Sequence, residues 1–333
     1  METVYFLGID ISKKTFNAAL TCDGQNMPEM EVTNRAQEIR AFFSGLKTKV
    51  SLSQLIVCME HTGIYCLPIL DYLVKHNIKV CVEPGLQIKQ SQGMTRGKND
   101  KIDARRIAQY AFKNRNELAY WTPQRPILQK LKALLILRER LIKTKNQLEV
   151  PISESKSYVQ EELRKSVAKR CTSSIAAINK DIKSVDQDIK TLIKVDQQVH
   201  QQMKWATSVP GVGNVTALNV ILATDEFKRI SIVKKFACYS GIAPFEHRSG
   251  SSIRGKTRVS KMANMRIKTL LTLGSMSVVQ RDQELKLYFE RKMSQGKNYW
   301  SVINAVRNKL ISRIFACVQQ QKVYQKNYAN ALA

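Results

Sequence analysis

The sequence predicts an α/β domain at the N-terminus, then a central helical arm, then a mainly α unit. Three observations carry this prediction. Through roughly the first 115 residues, short apolar runs alternate with segments of helical periodicity. Between about 126 and 200 glycine disappears and Lys, Glu and Gln dominate. Glycine then returns at Gly211, ahead of a stretch rich in helical patterns that runs almost to the end of the chain.

Taken in order, residues 3–10 and 14–21 read as strands with Asp23-Gly24 as a turn signal, and a third strand is predicted near 28–33. Asn34 is placed to cap a helix that runs to about Leu46. Residues 54–60 read as a buried strand, 64–76 as a helix, 78–83 as a strand stopped by Pro84-Gly85, and 100–113 as a helix. Three strands followed by βαβ units is the order of an RNase H-like domain. In the arm, Ile175, Ile178, Ile182, Val185, Ile189 and Leu192 alternate spacings of three and four, an a/d seam, and Leu128, Leu131, Leu135 and Ile142 form a looser one upstream. An antiparallel coiled coil and an ordinary bundle helix both fit this pattern. A last apolar-periodic helix is expected at about 299–318, and the final residues are polar.

The chain has 333 residues, with 54 Lys+Arg against 27 Asp+Glu, a formal charge of +27. That balance makes nucleic acid the leading partner class and an anionic membrane surface the rival. No run approaches 18 apolar residues and the start lacks a signal-peptide pattern, so a cytoplasmic protein is expected. Seven scattered cysteines, with Cys58 and Cys81 inside apolar runs, read as reduced buried thiols. Four histidines without ligand spacing argue against zinc.

Against this basic background four carboxylates are conspicuous. Asp10 ends the apolar run from Val4, and Glu60 ends the run from Leu55. Asp100 and Asp103 are three apart, on one face of a helix start. If the two strands lie side by side under that helix, the four acids form a hard-oxygen site suited to Mg²⁺, with Mn²⁺ as the alternative. Such ions serve phosphoryl transfer. Asp100 or Asp103 could instead be a solvated acid paired with Lys98, Lys101 or Arg105.

Two further segments point to phosphate. Pro210-Gly211-Val212-Gly213 precedes a helix and offers backbone N–H groups, half of a helix-hairpin-helix; a plain glycine turn fits equally. From 244 to 268 there are seven Lys/Arg and one Glu, and Ser249-Gly250-Ser251-Ser252 reads as a hydroxyl-rich loop among Arg248, Arg254, Lys256 and Arg258. From the residues alone, phosphate binding without covalent chemistry is the preferred reading of this loop; a serine nucleophile is the alternative.

At this point a resemblance becomes specific. Gly8-Ile9-Asp10-Ile11-Ser12-Lys13 resembles the opening of a RuvC-like domain. Glu60-His61-Thr62-Gly63-Ile64-Tyr65 and Lys98-Asn99-Asp100-Lys101-Ile102-Asp103-Ala104 follow in order. After them come Pro210-Gly211-Val212-Gly213, Ser240-Gly241-Ile242-Ala243-Pro244, Arg248-Ser249-Gly250-Ser251-Ser252 and Ser260-Lys261. Together they resemble the DEDD-type insertion-sequence transposases, which are related to Piv-type DNA invertases and to RNA-guided bridge recombinases. The match spans nearly the whole chain. One departure is that Met262-Ala263-Asn264 follows Ser260-Lys261, where a glycine is usual.

The resemblance implies a RuvC-like DEDD metal-binding domain at 1–120, a coiled-coil arm at 121–203, a C-terminal transposase domain at 204–325 and a tail at 326–333. It implies that Asp10, Glu60, Asp100 and Asp103 hold Mg²⁺ and that Ser249, not Ser240, is the nucleophile of a covalent phosphoserine link to DNA. Gly211, Gly213, Arg248, Arg254, Lys256, Arg258 and Lys261 would contact nucleic acid. It further implies a structured guide non-coding RNA, DNA partners at the element ends and target, and dimers that join into tetramers, with no membrane. The acids and Ser249 would then have to meet by domain docking, in cis or in trans. A site-specific invertase of the same family, a RuvC-like junction nuclease using activated water, and a non-catalytic scaffold for RNA or DNA are the alternatives.

Overall fold

In a computed structural model, the structure describes residues 4–93, 100–249 and 253–326. The chain forms two compact units, Met1–Pro123 and Gln124–Ala333.

The first unit is built on a mixed sheet. Strand β1 (Tyr5–Ile11) pairs antiparallel with β2 (Thr15–Cys22), which also carries the short β3 (Gln25–Asn26) and β4 (Met30–Thr33). On its other side β1 pairs in parallel with β5 (Leu55–Glu60), and β5 pairs in parallel with β6 (Lys79–Glu83). The order is β3-β2-β1-β5-β6, with β4 on β2. Helices α1 (Ala36–Lys47) and α2 (Leu67–Lys75) cover one face, where Ile39, Phe43, Ile69 and Leu73 pack on Leu7, Ile9, Val57 and Met59. Helices α3 (Gly85–Gln90) and α4 (Asp100–Lys113) cover the other, where Ile88, Ile107 and Ala111 pack on Phe6, Ile56, Cys58 and Cys81. With helices on both faces, the central strands must be apolar on both sides, which is why β1 and β5 read as continuous apolar runs rather than alternating ones.

Two details correct the sequence reading. Asn34 does not cap α1: the N-cap is Arg35, which makes no side-chain cap bond. Instead Asn34 Nδ2 donates to the carbonyls of Ser12 (3.2 Å) and Tyr65 (3.0 Å), tying together the turns that follow β1 and β5. Pro84-Gly85 ends β6 as expected but also starts α3, which was not foreseen; Pro84 is its N-cap.

The second unit is mainly helical. Helices α5 (Pro126–Glu154) and α6 (Glu161–Val195) form an antiparallel pair, with Arg138 Nε bonded to Asp186 Oδ1 at 2.6 Å. The predicted seam is the covered stripe of α6: Val185 and Ile189 are buried and Ile175, Ile178, Ile182 and Leu192 half-buried, while most intervening positions are exposed. Helices α7 (Gln197–Thr207), α8 (Asn214–Thr224) and α9 (Val233–Tyr239) follow. A hairpin of β7 (Pro244–Ser249) and β8 (Ile253–Val259) comes next, then α10 (Met265–Arg281), α11 (Gln283–Ser294) and α12 (Tyr299–Gln319). One core joins Leu128 and Leu131 of α5, Ile189 of α6, Met203 of α7, Ile221 of α8 and Leu310 of α12. At its edge Arg125 bonds both Asp196, the N-cap of α7, and the fully buried carboxylate of Glu226, which sits in a left-handed turn after α8.

Strands β7 and β8 flank the loop expected at Ser249-Gly250-Ser251-Ser252, of which Gly250, Ser251 and Ser252 lie outside the described residues. Strand β8 alternates Ile253, Gly255, Thr257 and Val259 with Arg254, Lys256 and Arg258, a period-two pattern that the reading of this segment as a loop passed over. Among the described residues no helix is long and apolar enough to cross a membrane.

Candidate functional site

Three strand ends place acids on one face of the first unit. Side chains alternate along a strand, so Asp10 shares the face of Phe6 and Gly8, and Glu60 the face of Ile56 and Cys58. Both are half-buried and end adjacent parallel strands, as the sequence predicted. Helix α4 covers this face. Its late residue Phe112 stacks edge-on against Phe6 at 5.7 Å, and Ala104 and Ala108 lie over Gly8. The helix therefore runs antiparallel to β1, and its first turn, Asp100 to Asp103, reaches the Asp10 end. Gly8 makes this possible: a Cβ there would come within 2.2 Å of the Ala104 carbonyl oxygen.

Each acid has its own setting. Asp103 Oδ1 accepts from Arg106 Nη1 at 2.8 Å, an ion pair one turn along the helix. Glu60 folds over Gly85, where an added Cβ would lie 2.0 Å from its Oε1. The side chain of Asp100 lies outside the described residues. Among the described residues, no three His, Cys, Asp or Glu side chains are grouped as a ready metal site. The donor set of Asp10, Glu60 and Asp103 is all carboxylate oxygen, which suits a hard cation and no softer one.

Glu83 is the acid that sequence reasoning passed over. It is the register partner of Glu60, ends β6 on the same face and is 9% exposed. Burial pushes its carboxyl above the ordinary glutamate range. The signal was available: a third buried strand ending in an acid directly before Pro84-Gly85. Its neighbours Cys58 and Cys81 are buried free thiols, as expected, and burial pushes Cys81 up to about 12.

In the second unit, Ser249 ends β7 and pairs with Ile253. Gly250, Ser251 and Ser252 lie outside the described residues, as do the side chains of Arg248, Ser249, Arg254 and Lys256. The backbone register sets Arg248 opposite Arg254. Arg258 and Lys261 are exposed. Ser240, the other serine of the segment, is fully buried and donates to the Phe236 carbonyl at 2.8 Å, which removes it as a nucleophile for any external substrate.

The two glycines before α8 differ. Gly211 has φ +84° and crosses α10 at Gly274, where a Cβ on Gly211 would lie 2.8 Å from the Gly274 carbonyl oxygen. Packing alone requires it. Gly213, the N-cap of α8, has nothing within 4 Å of a built Cβ and is exposed.

Comparison with other proteins gives this arrangement a class. Residues 7–154 match the DEDD-type IS110 family model, described as "Transposase", and residues 203–290 match one described as "Transposase IS116/IS110/IS902 family". The strand-end acids thus fall in a transposase domain of the DEDD type. The chain belongs to the IS110-type transposase family. It is 26% identical over 332 residues to the pilin gene-inverting protein of Moraxella bovis, covering 96% of this chain and 98% of that one. The pilin gene-inverting protein of Moraxella lacunata gives the same identity and coverage. The transposase for insertion sequence element IS1111A of Coxiella burnetii is 25% identical, covering 98% of this chain and 92% of that protein. Membership implies an enzyme that cuts and rejoins DNA.

Proposed function

We propose that the chain recombines the DNA of a mobile element by phosphoryl exchange through a covalent link to Ser249. The observation that carries this reading is the convergence at one end of the sheet: Asp10 and Glu60 on adjacent parallel strands, under a helix that begins with Asp100 and Asp103. In this reading 1–120 is the RuvC-like metal-binding domain, 121–203 the coiled-coil arm and 204–325 the serine-bearing domain.

Asp10, Glu60, Asp100 and Asp103 would hold Mg²⁺, which when bound supplies positive charge to a phosphodiester. Asp103 would exchange its Arg106 partner for that role. Ser249 Oγ forms the new bond to phosphorus while the bond to a sugar oxygen breaks, and the serine proton leaves with that oxygen. The reverse step on a second strand end restores the serine and seals the new junction. Energy is conserved in the phosphodiester, so no cofactor is consumed. Arg248, Arg254, Lys256, Arg258 and Lys261 would offset phosphate charge along the hairpin, and Gly213 would present backbone N–H groups. The partners in this reading are the element ends, target DNA, a structured guide RNA and further copies of the chain.

Inversion rather than insertion is the second reading, favoured by the near full-length similarity to the pilin gene-inverting proteins. The test uses purified protein with DNA and RNA corresponding to the sequence flanking its gene. Asp10→Asn and Ser249→Ala should each retain DNA binding and lose strand exchange by at least about 100-fold, the scale of removing one member of a catalytic set. A Ser249→Ala protein that still nicks at the wild-type rate would return the reaction to hydrolysis by water.

A further inference from the structure

The hairpin that ends in Ser249 is held at its root with unusual specificity. Gly241, at φ +64°, lies against Ala263, where an added Cβ would be 2.5 Å from the alanine Cβ, so the chain entering β7 touches the chain leaving β8. The N–H groups of Ile242 and Ala243 both donate to the Ala237 carbonyl, at 2.9 and 3.1 Å, and Asn264 N donates to the Tyr239 carbonyl at 2.8 Å. These bonds satisfy the donors of the root. The carbonyl of Ile242 is satisfied from elsewhere, by Asn304 Nδ2 of α12 at 2.8 Å.

Asn304 is in turn bonded by a cation. Arg307 Nη1, one turn along α12, donates to Asn304 Oδ1 at 3.2 Å. Accepting from a guanidinium fixes which end of the amide faces Ile242, because only the oxygen can take that bond. Arg307 is 7% exposed, and its Nε has no partner among the described residues. Burial pushes it below the usual arginine range. A buried guanidinium held by one amide destabilises a fold relative to an apolar residue of the same shape. Its presence therefore calls for a role beyond packing.

We propose that Asn304, oriented by Arg307, is a positioning residue for strand exchange: it fixes the Ile242 carbonyl and with it the direction of the serine hairpin. The proposal rests on Ser249 being the nucleophile. The lever is long. The chain from Ile242 to Ser249, most of it in β7, reaches at most about 23 Å at roughly 3.3 Å per residue, so a tilt of about 5° at the root moves the end of β7 by up to roughly 2 Å. Misplacement of reacting groups by about 1 Å can cost 100-fold in rate.

Asn304→Asp separates positioning from stability. The carboxylate gives Arg307 an ionic partner, while it offers Ile242 an acceptor where a donor is needed. The expected result is a melting temperature at or above that of the wild type, unchanged affinity for DNA, and formation of the SDS-stable protein–DNA adduct slowed at least about tenfold at saturating DNA. Asn304→Gln, which keeps the amide one methylene farther out, should bind DNA normally and recover part of the rate. If the Asp variant does not fold, the Gln variant decides, with a slower adduct at normal affinity expected. Adduct formation at the wild-type rate in either folded variant overturns the positioning role, as does a loss explained wholly by weaker DNA binding. Ser249→Ala is run beside them. If it still forms the adduct, the serine assignment fails; if it does not, and the Asn304 variants react normally, only the positioning role fails.

Discussion

A methyl group at position 8 would collide with the backbone of α4, 2.2 Å from both the Ala104 carbonyl oxygen and the Ala108 nitrogen. The obstacle is backbone, which cannot swing aside like a side chain. Gly8→Ala should therefore destabilise the protein by about 2–4 kcal/mol, at or above the usual cost of overpacking, as measured by chemical denaturation. Glu83 makes a different prediction. Its carboxyl is held above the ordinary glutamate value of 4.5 by burial. The folded state therefore binds its proton more tightly than the unfolded chain does. This contribution to stability is complete below pH 4.5 and is lost as pH rises through the folded value. Glu83→Gln, which stays neutral, should match the wild type in acid and become the more stable protein as pH rises; a constant difference across the range would contradict the burial argument. At this scale the sequence spoke unevenly. Asp10 and Glu60 were legible because each interrupts an apolar run at its end. Glu83 ends a run just as they do, and the same signal was available there, but the Pro84-Gly85 stop drew the reading to a strand boundary instead.

The elements were legible where hydropathy has a period or a bounded run. Strands β1, β2, β5 and β6 and helices α4 and α12 fall within a few residues of their expected bounds, the helices because each buries one face and the central strands because each is a short apolar run with a clear end. The β7/β8 hairpin was not foreseen although β8 alternates Ile253, Gly255, Thr257 and Val259 with basic residues, because the Gly and Ser of Ser249-Gly250-Ser251-Ser252 dominate the segment as loop signals. Asn34 misled in a third way. Its position suggested a helix cap, but it spends its amide on two loops distant in sequence. A comparable long-range tie is Arg125, which joins the start of α5 to Asp196 and to the buried carboxylate of Glu226. Arg125→Ala should cost about 2–4 kcal/mol, slightly below the usual penalty for orphaning a buried charge, because Lys228 still reaches Glu226 at 3.2 Å. Thermal unfolding of the second unit reads this directly, and a shift within error would make the network ornamental.

Across the whole molecule, a +27 chain places Asp10, Glu60 and Glu83 at the ends of buried strands on one face of a sheet. That placement, more than the charge total, separates an enzyme acting on nucleic acid from a basic scaffold. The family membership covers both units, with residues 7–154 and 203–290 matched separately. The proposed reaction chemistry turns on one atom, the Oγ of Ser249. The most direct measurement traps the protein–DNA adduct formed by the wild-type protein, digests both components and reads the modified peptide by mass spectrometry. A nucleotide phosphate attached to the peptide that contains Ser249 is expected, absent when Asp10→Asn protein is used. Attachment at another residue, or strand exchange at the full rate with no attached peptide at any time point, would contradict the serine assignment.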